Sequence, residues 1–178
     1  SMALALKHLS FVNSIVGCDH NEEHQMVALQ RDLVDSFVDY QTLLDTSDII
    51  FLAIPVDGVI ECLQNSEIVQ GSNKTLIDLG STKAQIVEAI PQSIRKNVVA
   101  AHPMTGTEHF GPTAAVEGLY AEKVVVLCNL EDSGDTQRDT ALRIFTTIGM
   151  QIRTMDAVQH DRHAAFISHM PHVISYAL

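Results

Sequence analysis

The chain has 178 residues, 46% of them hydrophobic, which suffices for one domain with a substantial core or for one domain and part of another. Its formal net charge of −11 argues against nucleic acid and anionic membrane surfaces as partners, although an anionic substrate is not excluded. We recognise no signal peptide and no run that approaches the roughly eighteen apolar residues of a membrane span. Cys18, Cys62 and Cys128 are far apart in apolar runs, so we expect buried thiols in a reduced, cytoplasmic protein.

Short apolar runs alternate with amphipathic stretches along the chain, which is typical of an α/β fold with a parallel sheet. Strands are predicted at Asn13–Cys18, Asp48–Pro55, Thr75–Leu79, Val98–Ala101, Lys123–Leu127 and Gln151–Thr154. Helices are predicted at Met2–Leu9, Glu22–Arg31 with Asn21 as its N-cap, Asp57–Gln64, Lys83–Ala89 and Thr136–Ile148. A long loop is expected from His102 to Gly118.

Two stretches concentrate polar chemistry, Ala101-His-Pro-Met-Thr-Gly-Thr-Glu108 and Ser168-His-Met-Pro-His172. Each places histidine beside proline, which restrains the backbone, and Gly106 permits a close approach of the backbone to a ligand. Three histidines, hydroxyl groups and a carboxylate are more polar chemistry than packing requires. A third stretch, Asp78-Leu-Gly-Ser-Thr-Lys83, ends a predicted strand at a turn that Gly80 allows.

In this order, the three motifs resemble the NAD-binding half of the prephenate dehydrogenase family, and the likeness runs along nearly the whole chain. The resemblance implies a Rossmann-like, doubly wound, mostly parallel sheet at residues 1–155. Residues 156–178 would begin an all-α domain for substrate binding and dimerisation, and an apolar stripe from Ala157 to Leu178 fits the first helix of that domain. NAD is the implied cofactor, and a homodimer is implied for the full-length protein.

The start of the nucleotide fold is expected to be incomplete. In such folds the acidic residue that holds the ribose lies about twenty residues after the glycine-rich loop. Asp19 ends the first predicted strand, which puts that loop at or before Ser1, and no Gly-x-Gly-x-x-Gly occurs in the sequence. We therefore expect the first strand and the glycine-rich loop to be missing, and NAD binding by the chain as given to be poor.

Asp19 is the predicted ribose ligand, because a carboxylate there accepts hydroxyl hydrogen bonds and repels the 2′-phosphate of NADP. His20 could accommodate some phosphate, and a solvated turn aspartate is the alternative. Ala53, Ile54 and Pro55 end the clearest strand, where small and apolar side chains suit packing against the cofactor; an ordinary strand end is the alternative. Gly80 completes the predicted cofactor set.

His102 is the predicted catalytic residue, because it follows a buried strand and the stretch from it to Glu108 matches the family's His-Pro-x-x-Gly-Thr-Glu completely. The resemblance implies that His102 accepts a hydrogen bond from the substrate hydroxyl. It also implies that Ser81 bonds where nicotinamide and substrate meet, although Ser81 or Thr82 could simply cap the next helix. Lys83 is expected to be solvated.

Further substrate contacts are expected from Thr107, Glu108, His169 and His172. The spacing of His169 and His172 also suits a metal pair, with Glu108, His160 or His163 as a third ligand. We predict no metal, because the sequence has no His-Glu-x-x-His and no cysteine near these residues. His160 and His163 are instead expected to face solvent.

The resemblance implies NAD-dependent oxidative decarboxylation of prephenate to 4-hydroxyphenylpyruvate in tyrosine biosynthesis. The chain has only eleven Lys and Arg, none in the two histidine motifs, and family members grip the substrate with an arginine of the helical domain. Prephenate and arogenate therefore both stay open as substrates, and the chain as given is expected to be inactive. Another NAD-dependent hydroxyacid or imine dehydrogenase, a non-catalytic nucleotide-binding regulatory module and a zinc-binding protein are the alternatives.

Overall fold

A computed structural model describes residues 1–107 and 111–165. Its helices are α1 (Met2–Lys7), α2 (Glu22–Gln30), α3 (Tyr40–Thr46), α4 (Val56–Gln64), α5 (Ala84–Ala89), α6 (Asp135–Thr147) and α7 (Ala157–Ala164). Its strands are β1 (Val16–Gly17), β2 (Ser36–Phe37), β3 (Ile49–Leu52), β4 (Thr75–Asp78), β5 (Val98–Pro103), β6 (Val124–Cys128) and β7 (Gln151–Met155). Short 3₁₀ helices lie at Glu67–Val69, Gln92–Asn97, Pro112–Ala114 and Leu130–Asp132.

The strands form two groups. Strands β3 to β7 make a five-stranded sheet in chain order, parallel except where β5 meets β6. Strands β1 and β2 form a separate parallel pair. The prediction of a mostly parallel α/β sheet is confirmed, but the separation of the strands into two sheets was not predicted. In a doubly wound sheet the first strand lies between two such groups, and within the described residues no strand lies between β1 and β3.

Both faces of the larger sheet are buried, because side chains of one strand alternate between two helical layers. On one face, Ile77 and Val99 pack in a cluster with Leu6 of α1 and Phe145 of α6. On the opposite face the cluster combines Leu76 and Val98 with α4 and α5, through Val59, Leu63 and Ile86. Full burial of each such side chain is worth about 1.5–3 kcal/mol, so these two layers hold the strand ends in place.

Local capping explains where several helices begin. The Asn21 side chain accepts hydrogen bonds from the backbone N–H groups of Glu23 and His24, which confirms the predicted cap of α2. Asp156 caps α7 in the same way. Helix α3 was not predicted, although Asp39 supplies a cap by accepting from the N–H and hydroxyl of Thr42. That Asp-x-x-Thr signal could have revealed α3.

The cysteines differ in burial more than their apolar surroundings suggest. Cys128 is buried, Cys62 is half-buried and Cys18 is exposed, and all three are free thiols. The expectation of buried thiols is therefore wrong for Cys18, which follows the two-residue strand β1 near the edge of the smaller sheet. Among the helices of residues 1–107 and 111–165, none has the length and apolar character needed to cross a bilayer.

Candidate active site

Several predicted site residues fall along one edge of the larger sheet. Ala53 follows β3, Gly80 and Ser81 follow β4, and His102 is the penultimate residue of β5, before Pro103. Strands β3, β4 and β5 are neighbours and run parallel, so their carboxyl ends meet at this edge. Ligands of doubly wound folds bind outside this edge.

A cleft of about 240 Å³ opens at the same edge. Its lining includes Ser1, Met2, Ala53, Leu79, Gly106 and Thr107. The structure thus brings the predicted cofactor residue Ala53 and the predicted substrate residue Thr107 to one cavity, beside the start of α1. Ile54 and Pro55 are exposed in the turn before α4. Small side chains leave room for a flat ring or a sugar.

Asp19 lies after β1, and its carboxylate already has protein partners. It accepts a hydrogen bond from the Asn21 N–H at 2.8 Å and lies 3.2 Å from His24 Nδ1. The carboxylate is about one-third exposed, and each oxygen has a second lone pair, so a ribose hydroxyl could still bind. His20 is fully exposed, 3.9 Å from Asp19. His24 in turn lies against Gly111, which has a φ of +79°.

Lys83 is not solvated, contrary to prediction, but fully buried in an ion pair with Asp78. Its ammonium also donates to the Ala101 carbonyl at 3.0 Å, and Asp78 accepts from the Gly80 N–H at 2.7 Å. Burial raises the pKa of the Asp78 carboxyl and lowers the pKa of Lys83, and their contact opposes both shifts. The pair therefore ties the β4 turn to β5 one residue before His102.

The geometry of this turn favours glycine at position 80. A Cβ at this position would lie 2.7 Å from Ile86 Cδ1 and 3.0 Å from Asp78 Oδ1. Its lack of a side chain lets the ion pair and α5 approach the strand end. Its contact with a cofactor stays a prediction.

His102 contacts a second histidine that was not predicted to belong to the site. Its Nδ1 lies 2.9 Å from Nε2 of His160, and the two rings meet edge to face. His160 is 2% exposed, so its expected solvent-facing position is wrong, whereas His163 is exposed as expected. The sequence around His160 gives no sign that the residue is buried, because its partner His102 lies 58 positions earlier in the chain.

Asp161, on α7, completes this chain of contacts, and its carboxylate caps the start of helix α5. Its carboxylate lies 2.8 Å from His160 Nδ1 and accepts the backbone N–H groups of Lys83 and Ala84 at 2.7 and 2.9 Å. Partial burial alone would raise the pKa of Asp161, but these backbone donors and His160 hold it below its usual value. The carboxylate is thus an anion that accepts from three sides.

The predicted cap of this helix is wrong. Helix α5 begins at Ala84 with Lys83 at the N-cap, and its first N–H groups bond to Asp161 rather than to Ser81 or Thr82. The cap comes from α7, far along the chain, so no local pattern could predict it. Ser81 is exposed after β4 and its role in the reaction stays a prediction.

Three predicted substrate residues, Glu108, His169 and His172, lie outside the described residues. In residues 1–107 and 111–165, no group of three or more His, Cys, Asp or Glu side chains could hold a metal ion. His160 is a poor third ligand, because its two ring nitrogens face His102 and Asp161.

The mostly parallel sheet, its polar carboxyl edge and the adjoining cleft define the chain as a Rossmann-like domain of the nucleotide-binding type. Residues 2–154 match the family model described as "Prephenate dehydrogenase, nucleotide-binding domain". The chain therefore belongs to the prephenate dehydrogenase family.

The prephenate dehydrogenase of Lactococcus lactis subsp. cremoris is 30% identical over 183 residues, which cover 100% of this chain and 49% of that protein. The Bacillus subtilis prephenate dehydrogenase is 26% identical, with the same coverage. The chain thus spans about half the length of the curated relatives it matches.

Solved structures of related dehydrogenases superpose closely on this chain. Prephenate dehydrogenase from Aquifex aeolicus superposes with a TM-score of 0.90 at 26% identity, covering 99% of this chain and 64% of that one. Synechocystis arogenate dehydrogenase gives 0.86 at 26% identity, covering 99% and 63%.

Removing one member of the buried ion pair should destabilise the fold. We expect Lys83→Met to lower the free energy of unfolding by about 3 kcal/mol, because it leaves Asp78 buried without its cation. The double variant Asp78→Asn, Lys83→Met should recover at least about 1 kcal/mol of that loss. Urea denaturation measures both, and Lys123→Met, at an exposed position, is the matched control. Additive losses in the double variant would contradict a coupled pair.

Proposed function

We propose that the protein is an NAD-dependent dehydrogenase that converts prephenate to 4-hydroxyphenylpyruvate in tyrosine biosynthesis. The observation that carries this proposal is His102 at the carboxyl edge of the sheet, held by the buried His160, in a chain of the prephenate dehydrogenase family. An Aquifex aeolicus prephenate dehydrogenase solved with hydroxyphenyl propionate and NAD⁺ supports it, at 25% identity and a TM-score of 0.90.

The residues present fit a nicotinamide dinucleotide. The cleft has small and apolar walls at Ala53, Leu79 and Gly106, and Asp19 keeps acceptor capacity for a ribose. Asp19 would hold the ribose, and the turns after β3 and β4 would line the rest, through Ala53, Ile54, Pro55 and Gly80. When bound, NAD⁺ accepts a hydride and so removes two electrons from the substrate.

The reaction asks little chemistry of the protein beyond alignment. Hydride leaves the ring carbon that bears the hydroxyl, the bond to the ring carboxylate breaks to release CO₂, and that bond's electron pair enters the ring, which becomes aromatic. His102 accepts the hydrogen bond of the hydroxyl as its oxygen gains carbonyl character, and so must be neutral. The Ser81 hydroxyl can donate and accept at once, which suits a position between cofactor and substrate.

Substrate recognition depends on more than the described cleft. Thr107, Glu108, His169 and His172 are the proposed substrate contacts in this chain. None of the described residues that line the cleft is Lys or Arg, although prephenate carries two carboxylates. We therefore place the cationic partner in the rest of the full-length protein, and propose a cytoplasmic homodimer.

The full-length protein, assayed for NADH formation with prephenate and arogenate side by side, tests the reaction and identifies the substrate. We expect His102→Asn to lower turnover by about 10²–10⁴-fold, because a positioned base is worth that much, while NAD binding persists. His163→Asn, an exposed position on α7, is the control and should keep full turnover.

Near-normal turnover by His102→Asn would remove His102 from this role. Turnover of a 3-hydroxyacid without turnover of prephenate or arogenate would favour another hydroxyacid dehydrogenase.

Cofactor choice should depend on Asp19. Asp19→Asn keeps an acceptor for the Asn21 N–H but loses the negative charge, so we expect the KM for NAD to rise about tenfold, the equivalent of one hydrogen bond to a charged group. Use of NADP should improve, because the repulsion of its 2′-phosphate is gone. Steady-state kinetics with both cofactors measures this, with Asp45→Asn, at an exposed position on α3, as the charge-matched control. Unchanged KM values for both cofactors would show that Asp19 is not the ribose ligand.

A further inference from the structure

Helix α7 packs on the face of β5 that carries His102. Side chains two apart on a strand share a face, so Ala100 and His102 point to the same side of the sheet. Ala100 packs in one cluster with Ala157, the first residue of α7. Residues three apart on a helix also share a face, which puts His160 over His102. The Ala157 N–H bonds to the Asn129 side chain at 2.8 Å and fixes this start of the helix.

The hydrogen bonds of Asp161 determine which nitrogen of His160 carries a proton. The carboxylate is ionised and can only accept, so His160 Nδ1, at 2.8 Å, must donate to it. In a neutral imidazole the other nitrogen is then an acceptor. In the neutral form of His160, Nε2 therefore accepts.

The same argument passes to His102. Its Nδ1 lies 2.9 Å from His160 Nε2, and an acceptor needs a donor, so Nδ1 of His102 carries the proton. A neutral His102 then has its basic lone pair on Nε2. If His102 takes up a proton there, Nδ1–H still donates to His160, and the Asp161 carboxylate behind it stabilises the positive charge.

We propose that His160 is a positioning residue that holds His102 in the Nδ1–H tautomer, so that Nε2 is the atom that accepts the substrate hydroxyl. The role in catalysis depends on the dehydrogenase function proposed above, but the tautomer does not. Asp161 orients His160 and caps α5 with the same carboxylate, which couples the histidine pair to the turn that carries Ser81.

The tautomer can be measured without substrate. In the full-length protein labelled with ¹⁵N-histidine, at a pH where His102 is neutral, we expect the His102 spectrum to show Nδ1 protonated and Nε2 unprotonated. His102→Asn assigns the signal by its loss. An unprotonated Nδ1 would overturn the proposal, whether or not the protein turns over prephenate.

Variants of His160 test the catalytic consequence. His160→Leu removes the acceptor, and we expect kcat to fall about 10²-fold, as for a misplaced catalytic group, with the KM for NAD unchanged. His160→Gln carries an amide oxygen near the position of Nε2 and should restore part of kcat. His163→Leu and His163→Gln, on the exposed face of the same helix, are the matched controls.

The outcomes separate the two proposals. Equal kcat losses in His160→Leu and His160→Gln, or a kcat within about twofold of the parent in both, would reject the positioning role. If His160→Leu does not fold, the tautomer measurement and the His160→Gln kinetics still decide. The expected tautomer in a protein with no dehydrogenase activity would reject the proposed function and leave the hydrogen-bond assignment standing.

Discussion

One carboxylate, that of Asp161, holds together the elements on which the site depends. It accepts hydrogen bonds from the backbone N–H groups at the start of α5 and from the His160 ring. The other ring nitrogen of His160 contacts His102. Helix α7 is therefore tied both to the turn after β4 and to the tip of β5. A site needs residues from several strand ends held within a fraction of an ångström, and contacts of this kind supply that restraint. The site depends on α7 although the family model ends at residue 154.

The buried layers explain why the strand ends can carry polar groups at all. Both faces of β4 and β5 are covered by apolar clusters, and residues that follow these strands, such as Leu79 and Thr105, line the cleft. Among the residues that the structure describes, three buried polar side chains at this edge are engaged. Asp78, Lys83 and His160 each bond to defined partners, as buried polar groups must if the fold is to remain stable. The packed strands thus fix the positions of the polar groups at their carboxyl ends.

The elements with strong local signals could be predicted from the sequence. The apolar runs of β3, β5 and β6 and the Asn21 cap can be recognised within a few residues, and the predicted strand Val98–Ala101 puts His102 at a strand end. The prediction failed where the decisive partner is distant. Lys83 was expected to be solvated because a lysine after a glycine turn carries no sign that Asp78 and Ala101 will enclose it. His160 was placed in solvent for the same reason, and β2 is too short for its periodicity to be seen.

Lys83 is the point at which the two polar networks meet. Its side chain bonds to Asp78 on β4 and to the carbonyl of Ala101 on β5, while its backbone N–H bonds to Asp161 on α7. A buried ion pair is a weak source of stability, because the cost of desolvating both charges offsets much of their attraction. What this pair does supply is geometry, since it links two adjacent strands one residue before His102. Ser81 and His102, the two residues proposed to meet the substrate, are therefore held relative to each other through this lysine as well as through Asp161 and His160, and a shift of Lys83 would move both.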